Sequence, residues 1–264
     1  MTAMDFRTMM TLEPHGPDTF VATGPQYPWG GLYGGQIIAQ ALRAAALTVE
    51  PAFQLHSLHA YFIRLGDAAE PIRLEVDRIR NGRSFLTRRV VARQAVGAIL
   101  TLAASFQVPE SGADVQIERM PVVEPPDGLR ADGWSPLIER RFLPADIAPG
   151  RVGAWMRLTE PLGDDPVLNA CALAYLSDDL PSDAVVAGHP DRPPRDAVER
   201  RFWNASLDHA IWFHRPLRAD QWHLHDVTCR ALFSSRGLAT GSVFDHTGRQ
   251  VATLSQEVLI RPVR

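Results

Sequence analysis

The chain has 264 residues, 45% hydrophobic and 22% charged, the makeup of a soluble globular protein long enough for one large domain or two of ordinary size. A net charge of −3 argues against a general nucleic-acid binder, and since all 27 basic residues are arginine, no lysine-dependent Schiff base, pyridoxal-phosphate site or P-loop can form. No stretch of about 18 apolar residues occurs, and the opening residues lack the basic-then-apolar order of a secretion signal, so a cytoplasmic protein without membrane insertion is expected.

The first strong element is a helix in GGQIIAQALRAAAL, from Gly34, apolar on nearly every side. An aromatic run, SLHAYFIRLGD, starts at Ser57. IRLEVDRI alternates Ile72, Leu74 and Val76 with charged residues, Asn81-Gly82 is a hairpin turn into SFLTRRVVARQ, and AILTLAASFQV supplies a further strand. The proline-rich PVVEPPDGL from Pro121 reads as a connector. A second apolar helix follows in DPVLNACALAYL, with Asp165 as its N-cap and Pro166 in the first helical position. GHPDRPPRD from Gly188 reads as a loop, and SLDHAIWFHRPL from Ser206, WHLHDVTCRAL, GLATGSVFD, a His246-Thr247-Gly248 turn and QVATLSQEVLI complete a second antiparallel set. Cys171 and Cys229 stand in unlike contexts outside any CxxC pair, so free thiols are expected.

The two sets read as copies. Ser57 and Ser206 each open a run of Ser-Leu, His-Ala, bulky apolar residues and an arginine, and Gln107 and Gln256 each lie 50 residues further on, a constant offset of 149. Duplication predicts an α+β chain of two tandem units, residues 1–112 and 148–264, joined by a connector over 113–147. A helix buried on nearly all sides fits a curved antiparallel sheet wrapped around it, the hotdog arrangement.

The motifs GGLYGGQIIAQAL, LHSLHAYFIRLGD, NGRSFLTRRVVARQ, AYLSDD, SLDHAIWFHRP and SQEVLIR stand in an order, over most of the chain, that resembles the type II acyl-CoA thioesterases, a double hotdog family. The resemblance implies hydrolysis of fatty acyl-CoA to fatty acid and CoA by a water held by three side chains, here Asp178, Ser206 and Gln256. The chain departs from the family pattern where Asp179 follows Asp178 and where Val258 replaces a common glycine, and the first departure leaves open which aspartate acts.

The chemistry of these residue types fits that role. A carboxylate just past a helix C-terminus faces the negative end of the dipole, which with partial burial raises its pKa and makes Asp178 a better base near neutrality. Ser206 and Gln256, able to donate and accept hydrogen bonds, would orient the water, and the N–H groups at Gly34 and Gly35, opening the first helix, would receive the oxyanion. Arg83, Arg88 and Arg236, near strand ends, are candidates for the CoA phosphates. Asp208, His209 and His214 read as a structural network behind the site. Ser57 has no equivalent aspartate after the first helix, where LTVEPAF stands, so one site per chain is expected.

Other chemistries are less well served. His56-x-x-His59 and His223-x-His225 lack a carboxylate or cysteine at ligand spacing, no GxSxG is present, and the glycines from Gly30 to Gly35 do not spell GxGxxG, so neither metal nor cofactor is expected. Two rivals stay open: a hotdog acyl-CoA hydratase or dehydratase, for which Asp208-His209 would have to serve as acid and base, and a non-catalytic acyl-CoA binding module. The expected partner is acyl-CoA, with no nucleic acid, and self-association into a homo-oligomer is left open.

Overall fold

A computed structural model describes residues 4–144, 148–193 and 201–263. The end of the 113–147 connector and residues 194–196 of the Gly188 loop lie outside the described residues. The first half holds α1 (Phe6–Met9), β1 (Glu13–Pro14), β2 (Thr19–Ala22), α2 (Gly34–Ala46), β3 (Gln54–Phe62), β4 (Ile72–Asn81), β5 (Phe85–Gln94) and β6 (Gly97–Gln107). The second holds β7 (Ala131–Asp132), β8 (Ile138–Phe142), β9 (Arg151–Leu158), α3 (Pro166–Ser177), α4 (Pro181–Gly188), β10 (Phe202–Ser206), β11 (Asp208–Phe213), β12 (His223–Phe233), β13 (Arg236–Asp245) and β14 (Gln250–Pro262).

All pairings are antiparallel, and the strands form one 14-stranded sheet in the order β1-β2-β4-β5-β6-β3-β11-β14-β13-β12-β9-β8-β7, with β10 also on β14. Its centre is the β3–β11 pair, where Ala60 stands opposite His209, 149 residues on. Outward from that seam the order β3-β6-β5-β4-β2 matches β11-β14-β13-β12-β9, so each half repeats one strand, one helix and four strands. The strands before the helices, β2 and β9, carry no clear alternation and escape the sequence reading. β8 pairs with β9, so residues assigned to the connector extend the second half of the sheet.

Local signals explain the helices. Asp165 accepts hydrogen bonds from the N–H groups of Val167 and Leu168, 2.9 and 3.0 Å, and Pro166 occupies the first helical position of α3. Pro181 has no N–H to continue α3 and instead opens α4. α4, absent from the sequence reading, packs on β9, β12, β13 and β14, whereas α3 lies mainly against α2. The expectation that each sheet wraps its long apolar helix therefore holds for α2 only: in the second half the strands pack on α4, and α3 is buried almost all round against α2 and its other neighbours. α2 differs from the expectation of an apolar helix, because Gln36 and Gln40 are fully buried on it. They stay satisfied: Tyr27 Oη donates to Gln36, Gln36 to Gln40, and Gln40 to the carbonyls of Met9 and Thr23. Cys171 and Cys229 are free thiols. Among the described residues no helix is long and apolar enough to cross a membrane.

Candidate active site

The break at Pro181 leaves Asp178 and Asp179 in the turn between α3 and α4, Asp178 as the C-cap of α3. Ser206 ends β10 opposite Val258 of β14, two residues from Gln256, so alternation along β14 puts Gln256 on the face that Ser206 approaches. The three meet. Ser206 Oγ donates to Asp178 Oδ1 at 3.1 Å, and Gln256 Nε2 donates to Ser206 Oγ at 2.7 Å. Asp178 and Gln256 are buried, and Ser206 is half-buried.

Burial is the main reason that the Asp178 carboxyl is pushed up to about 7, with the neighbouring Asp179 adding to it. Hydrogen bonding from Ser206, Gln256 and the Gly35 backbone works the other way. The sequence argument named the dipole of α3 together with partial burial; the structure also places the carboxylate beside the N-terminus of α2, where the dipole has the opposite sign. Desolvation therefore dominates.

Gly34 and Gly35 matter through close approach. A Cβ on Gly34 would stand 2.4 Å from Asp178 Oδ2 and 3.0 Å from Phe62 Cζ, and one on Gly35 would stand 2.2 Å from the Tyr175 carbonyl oxygen. The end of α3 approaches both glycines, and Phe62 at the end of β3 also crowds Gly34. Gly34→Ala is expected to displace the carboxylate and lower kcat by roughly tenfold or more, the effect typical of a small misplacement of a reacting group. Wild-type turnover in a folded Gly34→Ala protein, measured as thiol release, would show that the contact is not needed.

Asp179 is an anchor. Its Oδ1 accepts from Trp134 Nε1 at 2.7 Å and its Oδ2 pairs with the Arg140 guanidinium, whose other side lies over the Phe142 ring. Neither Asp179 nor Arg140 is more than a tenth exposed at the side chain. Trp134 also meets the Tyr33 ring edge-on, centroids 4.9 Å apart, and Tyr33 is the N-cap residue of α2. Tyr33 Oη donates to the Tyr175 carbonyl at 2.9 Å. These contacts tie the turn that carries Asp178 to the α2 N-terminus. Sequence reasoning missed Trp134, Arg140, Tyr33 and Tyr175; the tryptophan in the connector was the available signal.

The proposed phosphate arginines do not converge on this place. Arg88 is 2% exposed and donates to Thr48 Oγ1, the Thr48 carbonyl, and the carbonyls of Arg80 and Thr87, so it closes the C-terminus of α2 and has no fork to offer a phosphate. Its assignment to CoA is withdrawn. Arg83 lies in the β4–β5 turn beside the Gln54 end of β3, about 25 Å along that strand from Phe62. Arg236 pairs with Glu257 at 2.9 Å and is exposed. The network expected behind the site is also divided. Asp208 accepts from the Glu257 N–H and His214 bonds to Thr253, while only His209 reaches Gln256. After α2 stand Leu47 and Thr48, with no carboxylate in the place Asp178 takes after α3.

Comparison with known proteins matches residues 23–107 to the acyl-CoA thioesterase N-terminal domain and residues 115–260 to the acyl-CoA thioesterase C-terminal domain. The chain is 33% identical over 255 residues to acyl-CoA thioesterase 2 of Haemophilus influenzae, covering 87% of each. It resembles the crystal structure of an acyl-CoA thioesterase II from Mycobacterium marinum with a TM-score of 0.86 and 36% identity, covering 98% of this chain and 97% of that one. A hot dog fold protein of unknown function from Alicyclobacillus acidocaldarius matches in fold at TM-score 0.82 and 20% identity, covering 98% of each.

Proposed function

This chain belongs to the acyl-CoA thioesterase family and hydrolyses acyl-CoA thioesters, and from that premise we propose that Asp178, Ser206 and Gln256 hold and activate the attacking water. The observation that carries the reading is the meeting of these three side chains at the N-terminus of α2. Asp178 takes a proton from the water, the hydroxide adds to the thioester carbonyl, and collapse of the tetrahedral intermediate breaks the C–S bond. The CoA thiolate leaves and takes up the proton that Asp178 received from the water, which restores the carboxylate, while the acyl group leaves as the carboxylic acid. Ser206 and Gln256 orient the water, and the N–H of Gly34 at the start of α2 is the donor for the developing oxyanion, the Gly35 N–H being directed at Asp178. The substrate is a fatty acyl-CoA, whose thioester needs no metal or covalent intermediate to be cleaved.

The same reading takes residues 1–112 and 148–264 as two hotdog units, the strands of the first packed on α2 and those of the second on α4, with 113–147 between them. One site per chain follows, since the turn after α2 offers Thr48 and Arg88 where the turn after α3 offers Asp178. Acyl-CoA incubated with the protein and a thiol reagent tests the assignment. Hydrolysis releases thiol that is lost in part in Ser206→Ala and Gln256→Ala; a hydratase alters the acyl chain without releasing thiol, and a binding module leaves the substrate intact.

A base titrating at about 7 also sets the pH profile. Only ionised Asp178 accepts the proton, so kcat is expected to fall about tenfold per pH unit below that value and to level off above it. A flat profile from pH 5 to 8 would remove Asp178 as the base.

A further inference from the structure

His209 lies on β11 directly behind Gln256, fully buried and used by none of the steps above. Its Nδ1 meets Gln256 Oε1 across a short hydrogen bond, and its Nε2 is 2.9 Å from Ser177 Oγ. With the two bonds already described, a continuous chain runs from Ser177 through His209, Gln256 and Ser206 to Asp178.

The direction of each bond follows from what each group can donate. Ser206 has one hydroxyl proton, and it is given to the Asp178 carboxylate, so its oxygen must accept from Gln256. Gln256 therefore has to present its NH₂ to Ser206. A flipped amide would set a carbonyl oxygen against the Ser206 lone pairs and leave the NH₂ facing the imidazole. The amide ends are nearly equal in shape, so packing alone cannot choose between them. The choice falls to the group at the other end. Burial holds His209 well below the usual imidazole range, at about 4, so it is neutral and carries a single proton. On Nδ1 that proton can only be given to an acceptor, the Gln256 carbonyl. Bare Nε2 then stands as an acceptor for the hydroxyl of Ser177, the residue of α3 immediately before Asp178, in competition with the Ala174 carbonyl 3.1 Å from the same Oγ.

We propose that His209 is a positioning residue for hydrolysis: as the Nδ1–H tautomer it fixes the orientation of the Gln256 amide, and so keeps the Ser206 proton directed at Asp178. The proposal rests on the roles given above to Asp178, Ser206 and Gln256.

Two variants and one spectrum test it. His209→Asn puts an amide NH₂ close to where Nδ1 stood, whereas His209→Leu fills the space without a donor. The Leu variant is expected to lose about tenfold in kcat, the scale of one orienting hydrogen bond, with KM little changed, and the Asn variant to recover most of that even where its thermal midpoint is the lower of the two. Nitrogen-15 NMR of the wild-type histidines should place the His209 proton on Nδ1, a readout that needs no substrate and no stable variant. A proton on Nε2, an unchanged kcat in the Leu variant, or losses in both variants that simply follow stability would each overturn the positioning role. Ser206→Ala and Gln256→Ala, run beside them, separate the two levels: if both keep full activity the site assignment fails and the His209 role with it, whereas if both fall and His209→Leu does not, only His209 is misassigned.

Discussion

Asp178→Asn is expected to lower kcat by about 10²-fold or more in a protein that still folds, the usual loss when a general base is removed. Asparagine keeps the size of the side chain and can still accept from Ser206 through its oxygen, but it cannot take up a proton. KM should change little, because taking a proton from water belongs to the chemical step and not to substrate binding. Stability gives an independent reading. The folded carboxyl titrates at about 7 against an ordinary value of 3.8, so between those values the folded state binds more protons than the unfolded one, and the wild type gains stability as pH falls through 7. Above 7 the wild type carries a buried charge that the variant lacks. Asp178→Asn should therefore raise the thermal midpoint most above pH 7, with the advantage shrinking toward pH 4. Thiol release under saturating acyl-CoA and thermal unfolding at several pH values measure both. Full turnover in Asp178→Asn would end the water-activation scheme.

The second large effect is expected one residue later and on a different property. Asp179→Ala leaves the nearly buried Arg140 guanidinium with the more exposed Asp132, 3.4 Å away, and the charge of Asp183 in place of its closest partner, and strips Trp134 Nε1 of its acceptor. Loss of one member of a buried pair typically costs about 3 to 5 kcal/mol, because an uncompensated charge stays in a low dielectric. Urea unfolding should show that loss as a lower midpoint. Replacing both members, Asp179→Leu with Arg140→Met, should recover much of it, since the desolvation cost of two charges disappears together. Turnover of the folded fraction should stay within several-fold of wild type, because Asp178, Ser206 and Gln256 remain. A stable Asp179→Ala protein that has lost about 10²-fold in kcat would instead move the base by one residue.

These expectations divide by the range of the interactions behind them. Signals that act over a few residues were legible: Asp165-Pro166 opening α3, Asn81-Gly82 turning β4 toward β5, and the alternation of Ile72, Leu74 and Val76, each read from the chain and found in place. The repeat was legible for a related reason, since two copies that must pair along β3 and β11 keep matching residues at a constant spacing. Asp178, Ser206 and Gln256 could be picked out in the sequence by resemblance to a family, although their mutual distances could not.

What the sequence by itself determined was the class of fold, the duplicated plan and a short set of chemically apt residues. The tertiary structure alone decided which of the two aspartates is tied up: Asp179 is claimed by Arg140 and Trp134, 39 and 45 positions away in the chain, which leaves Asp178 facing Ser206. It also decided against Arg88 as a phosphate ligand by burying it against Thr48, and of the two causes that the sequence suggested for a raised Asp178 pKa, burial and the helix dipole, it made burial the larger. The physical reason is the same in each case. Burial and long-range pairing depend on which segments the fold brings together, and a side chain's neighbours in space, rather than its neighbours in the chain, determine whether its charge is anchored, solvated or available for chemistry.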